Sequence, residues 1–90
     1  MDWDEFRYFS AVAHSGSVRG AATELGVNPS TVTRRLDALE RRLGVLLFAR
    51  TAQGLQMTAE GSAVIGEVDA VADRLGSIES ALIGTDQRLA

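Results

Sequence analysis

The chain has 90 residues, of which 46% are hydrophobic and 23% are charged, and it contains one proline. This length accommodates one globular domain, and a cavity for substrate and cofactor would remove much of so small a core. Cysteine is absent and histidine occurs once, which excludes a disulfide framework, a cysteine nucleophile and a thiolate metal site. We therefore expect no enzyme activity, no cofactor and no metal ion.

The apolar runs and the start of the sequence bear on its location. No stretch approaches the roughly 18 consecutive apolar residues of a membrane-spanning helix. The sequence begins with the acidic segment MDWDEF, whereas a secretory signal peptide begins with a basic segment. We expect a cytoplasmic protein with no membrane partner.

Charge is distributed unevenly along the chain. The formal net charge is −3, but residues 1–58 carry seven arginines against six acidic residues, and residues 59–90 carry two against six. Residues 28–50 alone carry five arginines and two acidic residues. Because a guanidinium group matches the geometry of phosphates and guanine edges, the segment 28–50 is a candidate for contact with nucleic acid.

A first helix is predicted over residues 2–14. Asp2 can act as its N-cap, and Glu5, three residues further on, can complete a capping box. His14 falls at the C-terminal end, where a solvated or C-capping role is expected. Four of the five aromatic residues lie in this helix at helical spacing, which favours a place in the core or in an interface; they are Trp3, Phe6, Tyr8 and Phe9.

Two further helices are predicted before residue 44. Ser17 can cap a short second helix that Gly26 ends. Asn28 and Pro29 mark the start of a third helix, because asparagine is a preferred N-cap and proline is favoured at the first helical position. Spacing places an apolar stripe on one side of the third helix and a polar face on the other. The stripe is Val32, Leu36, Leu39 and Leu43, and the polar face is Ser30, Thr33, Arg34, Asp37 and Arg41.

The remainder of the chain is predicted to form a small β-hairpin and a long helix. The hairpin spans residues 45–58, with an apolar run at 45–48 and a turn at 51–54. Thr58 can cap the final helix, which is expected to reach residue 83. Apolar residues recur in that helix with the alternating spacing of four and three that indicates a partner helix: Val64, Val68, Val71, Leu75, Ile78 and Leu82.

Two interpretations of the second and third helices are open on spacing alone. A tight turn followed by a helix with short polar side chains at its leading end is the arrangement by which a helix-turn-helix enters the major groove. A plain helical bundle with a solvated charged face would show similar periodicity.

A specific run of residues resembles a known family. FRYFSAVAHSGSVRGAATELGVNPSTVTRRLDALERRLGVLLFART and GLQMTAEG resemble the amino-terminal segment of the LysR-type transcriptional regulators, without a gap from about Asp2 to Glu60. The resemblance implies a mainly α fold, a winged helix-turn-helix of three helices and a β-hairpin wing over residues 1–58. Residues 59–90 would then form a linker helix used for dimerisation.

The resemblance also implies which residues meet double-stranded DNA. Residues at the leading end of the third helix would lie nearest the base edges, namely Pro29, Ser30, Thr33 and Arg34. Candidates for phosphate contacts near helix N-termini are Ser17, Asn28 and Thr31. The wing would follow the minor groove through Arg50 and Gln53.

Some of these positions depart from the family or allow a second role. Many members have glutamine at the position of Pro29, proline at that of Ser30 and arginine at that of Gln53, so base preference does not transfer from relatives. Arg50 could instead bridge wing and core. Asp37 is expected to pair with Arg34 or Arg41, with contact to cytosine N4 as the alternative.

The resemblance finally implies partners. The long helix would form an antiparallel homodimer through the six apolar residues named above, or pack back on the first helix. A two-fold dimer suits an inverted repeat in a promoter or operator, and a tetramer is open for a longer protein. A small-molecule effector would bind only through a further domain beyond residue 90. The competing hypothesis is a protein-interaction module, consistent with the net charge of −3.

Overall fold

The computed structural model describes residues 3–89, with side chains described for residues 3–83. Within residues 3–89, four helices and one antiparallel hairpin confirm the mainly α winged helix-turn-helix fold. In chain order the elements are α1 (Trp3–Ser15), α2 (Val18–Leu25), α3 (Pro29–Leu43), β1 (Phe48–Thr51), β2 (Gly54–Met57) and α4 (Ala59–Leu89). No helix among the described residues is long and apolar enough to cross a membrane.

Local capping signals set the ends of α2 and α3 as predicted. Ser17 Oγ accepts a hydrogen bond of 2.9 Å from the backbone N–H of Gly20 at the start of α2. Gly26 ends α2 with a φ of 69°, in the left-handed region that glycine adopts without strain. Asn28 is the N-cap residue of α3, but its side chain makes no capping hydrogen bond. Its backbone carbonyl accepts from Thr31 instead, at 3.0 Å.

The core lies between the first three helices and is closed by the end of the hairpin. Three of the four residues of the predicted α3 stripe are buried, whereas Leu43, at the C-terminal end of the stripe, is 37% exposed. Tyr8 and Phe9 are buried, and the Phe9 ring contacts the Phe48 ring with centroids 5.5 Å apart. Trp3 and Phe6 pack against the edge of this core, which confirms the expectation for the aromatic residues.

The hairpin begins three residues later than predicted, at Phe48, because other groups take up the backbone before it. The carboxylate of Glu40 accepts from the N–H groups of Leu47 and Phe48 at 2.7 and 3.2 Å. Thr58 donates through Oγ1 to the carbonyl of Leu46 and through N–H to that of Leu47. The backbone of Leu46 and Leu47 is thus bonded to Glu40 and Thr58, and the wing is shorter than the sequence predicted.

Helix α4 starts at the predicted cap and continues past residue 83 to Leu89. Thr58 Oγ1 accepts from the N–H of Gly61 at 3.1 Å. Gly61 is buried, and a Cβ atom there would overlap the carbonyl oxygen of Leu47. The first turn of α4 is thereby held directly against the segment that precedes β1.

Two polar side-chain contacts join helices distant in sequence, and neither was predicted. Glu5, in the first turn of α1, is buried and pairs with Arg42 at the end of α3. Asp2, the other half of the expected capping box, lies outside the described residues. His14 Nε2 lies 2.9 Å from the carboxylate of Asp69 on α4. The expected solvated position of His14 at the end of α1 is confirmed, since its side chain is 62% exposed, and the contact with Asp69 is an addition that the sequence did not indicate.

Candidate nucleic-acid interface

The polar face of α3 is open to solvent along its whole length. The structure confirms every residue that the sequence placed there as exposed: Ser30, Thr33, Arg34, Asp37 and Arg41. Pro29 and Asn28 are also exposed at the leading end, and Thr31 is half-buried. The small side chains at this end leave the helix backbone accessible to a groove about 12 Å wide.

The four arginines of α3 divide into two groups according to the side of the helix. Arg42 pairs with the buried Glu5, and Arg35 lies 5.9 Å from the centre of the Tyr8 ring with its Nε buried. Arg34 and Arg41 have no hydrogen bond or ion pair with any other described residue. The number of arginines in this segment of the sequence is therefore larger than the number available to a ligand, because Arg35 and Arg42 contact other parts of the fold.

The expected ion pair of Asp37 is absent. Asp37 is exposed, and within the described part of the chain its carboxylate pairs with neither Arg34 nor Arg41. The spacing of three or four residues permits such contacts on a helix but does not enforce them. That prediction was wrong.

The start of α2, the polar face of α3 and the wing meet at a cleft. This cleft has a volume of about 140 Å³ and is lined by Val18, Thr33, Leu36, Asp37, Glu40, Phe48, Arg50 and Leu55. Ser17, which precedes Val18, is exposed and already caps α2. The structure thus brings the predicted residues of α2, α3 and β1 to one side of the molecule.

The wing presents its candidates at and beside a two-residue tip. Arg50 pairs in register with Leu55, and Thr51 with Gly54, which leaves Ala52 and Gln53 at the tip. The Thr51 hydroxyl donates to the carbonyl of Gly54 at 2.9 Å and accepts from the N–H of Gln53 at 3.1 Å. The exposed guanidinium of Arg50 has no ion pair among the described residues, so no such pair supports its role as a bridge between wing and core.

The six apolar residues of α4 do not form a single free stripe. Val68 is 6% exposed and packs into the chain's own core, so its assignment to a free interface is corrected. The reason is that α1 covers this turn of α4, with Asp69 beside it bonded to Ser10 and His14. The other five are exposed: Val64, Val71, Leu75, Ile78 and Leu82. Trp3 and Phe6 border this exposed surface through a groove that Val71 also lines.

Three helices pack around one core, the polar face of the third helix is exposed, and a hairpin lies beside that face. This arrangement defines a winged helix-turn-helix protein. The chain belongs to the lysR family of bacterial regulatory helix-turn-helix proteins, whose family model matches residues 3–62.

Relatives and solved structures agree with this assignment. The HTH-type transcriptional regulator TfdS of Cupriavidus pinatubonensis is 46% identical over 65 residues, which are 72% of this chain and 22% of TfdS. A crystal structure of a CbnR_DBD–DNA complex superposes with a TM-score of 0.78 at 31% identity, covering 96% of this chain and 99% of that one. CbnR, a LysR family transcriptional regulator, matches with a TM-score of 0.80 at 33% identity over 90% of this chain and 28% of its own. The chain spans about a fifth of the length of the curated relatives it matches.

Proposed function

We propose that this chain binds double-stranded DNA in a sequence-dependent manner, as the DNA-binding segment of a transcriptional regulator. The observation that carries the proposal is the polar face of α3, which is exposed from Ser30 to Arg41 and carries two guanidinium groups that have no partner among the described residues. Membership of the lysR family and the similarity to the CbnR_DBD–DNA complex support it.

In this proposal α3 lies in the major groove with its N-terminal end towards the bases. Pro29, Ser30, Thr33 and Arg34 are then the residues nearest the base edges. Pro29 contributes shape and apolar contact only, because it has no N–H to donate. A guanidinium such as that of Arg34 can donate two hydrogen bonds to a guanine edge or pair with a phosphate.

Phosphate contacts flank the bases on both sides. Asn28 has a side-chain amide that makes no capping bond, so it is free to donate to a phosphate. Ser17 is the N-cap residue of α2 and Thr31 lies in the first turn of α3, where backbone amides favour an anion. Arg50 and Gln53 of the wing would contact the adjacent minor groove, where an arginine is attracted by the strong negative potential.

Two copies of the chain would bind together through the exposed apolar residues of α4. In an antiparallel pair the two recognition helices are related by a two-fold axis, which suits an inverted repeat with half-sites about 34 Å apart. The 31 residues of α4 extend for roughly 46 Å at about 1.5 Å per residue, which is long enough to hold two heads at that separation. Five of the six predicted interface residues remain candidates after the correction at Val68.

The domain organisation, the higher assembly and the cellular location of the protein belong to the same proposal. Residues 1–58 would form the DNA-binding domain and residues 59–90 the linker to an effector-binding domain. Association into a tetramer, and the response to a small molecule, would be properties of that longer protein. A bacterial regulator that binds promoter DNA works in the cytoplasm.

The direct test is selection of random-sequence duplexes by the purified chain at moderate salt, followed by sequencing of the retained DNA. Enrichment of an inverted repeat is expected, with an affinity that falls steeply as salt rises because arginines displace counterions from phosphates. Fluorescence anisotropy on the enriched duplex supplies the salt dependence. Failure to retain any duplex even at low salt would contradict the proposal and favour the protein-interaction module.

A further inference from the structure

Asp37 is an acidic residue at the centre of a face that is otherwise neutral or basic. At about 100° per residue, its side chain leaves α3 between those of Ser30 and Thr33 when the helix is viewed along its axis. Arg34 and Arg41 lie one turn before and one turn after it on the same face. A carboxylate here would meet the floor of the groove rather than its edge.

The carboxylate of Asp37 is free, in contrast to other carboxylates of the winged helix-turn-helix. Within the described residues it has no hydrogen bond and no ion pair. Three others are engaged: Asp4 pairs with Arg7, Glu5 with Arg42, and Glu40 accepts from the amides of Leu47 and Phe48. Asp37 therefore contributes no polar contact to the fold, and its oxygens are available to a ligand of this face.

Few groups on DNA can meet an ionised carboxylate favourably. It accepts hydrogen bonds and cannot donate them, and it is repelled by phosphates. In the major groove only the amino groups of cytosine N4 and adenine N6 donate. Adenine places its N7 acceptor beside that amino group, whereas cytosine offers the donor without an adjacent acceptor on the same base. A carboxylate thus matches cytosine best and is mismatched to guanine and thymine.

The neighbouring cations make this contact feasible without competing for it. Arg34 and Arg41 are exposed and unpaired within the described chain, so both can meet phosphates or guanine while offsetting the repulsion between Asp37 and the backbone. Because they do not pair with Asp37, no existing ion pair has to break when DNA binds.

Resting on the proposed DNA binding, we propose that Asp37 is a specificity-determining residue that accepts a hydrogen bond from the N4 amino group of one cytosine in each half-site.

The test compares four versions of the 90-residue chain in parallel selections from random duplexes. They are the unchanged chain, Asp37→Ala, Asp37→Asn and the matched control Asp73→Asn. The control removes one negative charge from an exposed position of α4, away from the polar face of α3. Circular dichroism compares helix content between variants, and Asp37→Asn keeps the size of the side chain if alanine changes the helix.

Competition binding at fixed salt then measures base preference at single positions. The unchanged chain should prefer cytosine at one position of each half-site by about tenfold, within the usual range for one good base contact. Asp37→Ala should reduce that preference to less than about threefold and leave the other positions unaltered. Asp37→Asn should shift the preference to adenine, because an amide accepts from N6 and donates to N7. Asp73→Asn should behave as the unchanged chain.

Different failures point to different conclusions. If Asp37→Ala and Asp37→Asn select the same sequence as the unchanged chain, the inference is overturned while DNA binding by this face stands. The same holds if both variants bind every duplex more tightly without a change in sequence preference, since Asp37 would then act only through its charge. If the unchanged chain retains no duplex, the proposed function fails and this inference fails with it.

Discussion

Helices α3 and α4 carry similar apolar stripes in sequence but use them differently. On α3, the side chains of Val32, Leu36 and Leu39 are buried because α1 and α2 cover them. On α4, Val68 is covered by α1, whereas Val71, Leu75, Ile78 and Leu82 are exposed. An apolar stripe therefore predicts that a partner exists, but it does not say whether the partner is in the same chain.

Burial of the apolar stripe also affects the polar face on the other side of α3. The buried stripe of α3 fixes its opposite face outward and rigidly, which is what a recognition surface needs. The exposed apolar residues of α4 do not fix the orientation of that helix until a second helix covers them. The winged helix-turn-helix head, formed by α1 to β2, is thus expected to be stable in the monomer. The C-terminal end of α4 is expected to be stable only in an assembly.

The largest effect is expected from removing the buried stripe of α3. Leu39→Ala deletes a fully buried side chain and should lower the free energy of unfolding by about 2–5 kcal/mol, since it leaves a cavity in the core. The matched change Ile78→Ala, at a position 57% exposed, should leave monomer stability nearly unchanged and weaken self-association. Denaturant unfolding and sedimentation velocity measure the two effects. Equal destabilisation of the monomer by both changes would contradict the comparison.

Two arginines of α3 allow the same comparison, between a residue that serves the fold and one that is exposed, for charged side chains. Arg42→Ala leaves the buried Glu5 without its partner and should cost about 1–3 kcal/mol of unfolding free energy. Arg34→Ala should leave stability unchanged but weaken DNA binding, with the slope of log affinity against log salt reduced by about one if Arg34 meets a phosphate. Chemical denaturation and anisotropy at several salt concentrations distinguish the pair. A salt slope that does not change with Arg34→Ala would assign this residue to a base instead.

Two glycines of α4 sharpen the contrast between its near and far ends. Gly76→Ala meets open space and should stabilise the helix by about 0.8–1 kcal/mol, because alanine loses less backbone entropy. Gly61→Ala would place a Cβ against the Leu47 carbonyl and should destabilise the head by about 1–3 kcal/mol, as overpacking does. Thermal unfolding followed by circular dichroism gives both signs. Stabilisation by Gly61→Ala would show that the first turn of α4 is not held as the structure has it.

Much of the fold was predictable because its signals are local. Ser17, Gly26 and Pro29 act within one helical turn of the ends they set, so the sequence around each is enough to place α2 and α3. The polar face of α3 was also predictable, since helical periodicity determines which residues share a side.

Most of the errors concern contacts between residues that are distant in sequence. The pair of Glu5 with Arg42 and that of His14 with Asp69 join residues 37 and 55 positions apart, and no local pattern records such contacts. The predicted ion pair of Asp37 was wrong for a different reason: the spacing was local and favourable, but such a pair on a solvated helix contributes only about 0.2–0.5 kcal/mol. The early part of the hairpin was wrong because Glu40 and Thr58 bond the backbone of residues 46–48, which only the folded chain brings together.

The sequence by itself determined the helix boundaries around the turn, the outward face of α3, the family and hence the class of ligand proposed. The tertiary structure decided which of the charges on α3 are free, since burial of Glu5 and the position of Tyr8 engage Arg42 and Arg35 and leave Arg34, Asp37 and Arg41 exposed. It also decided where α4 leaves the head, because close packing of Gly61 and Val68 sets its direction. Periodicity assigns a residue to a side of a helix, whereas only packing between distant segments assigns that side a partner.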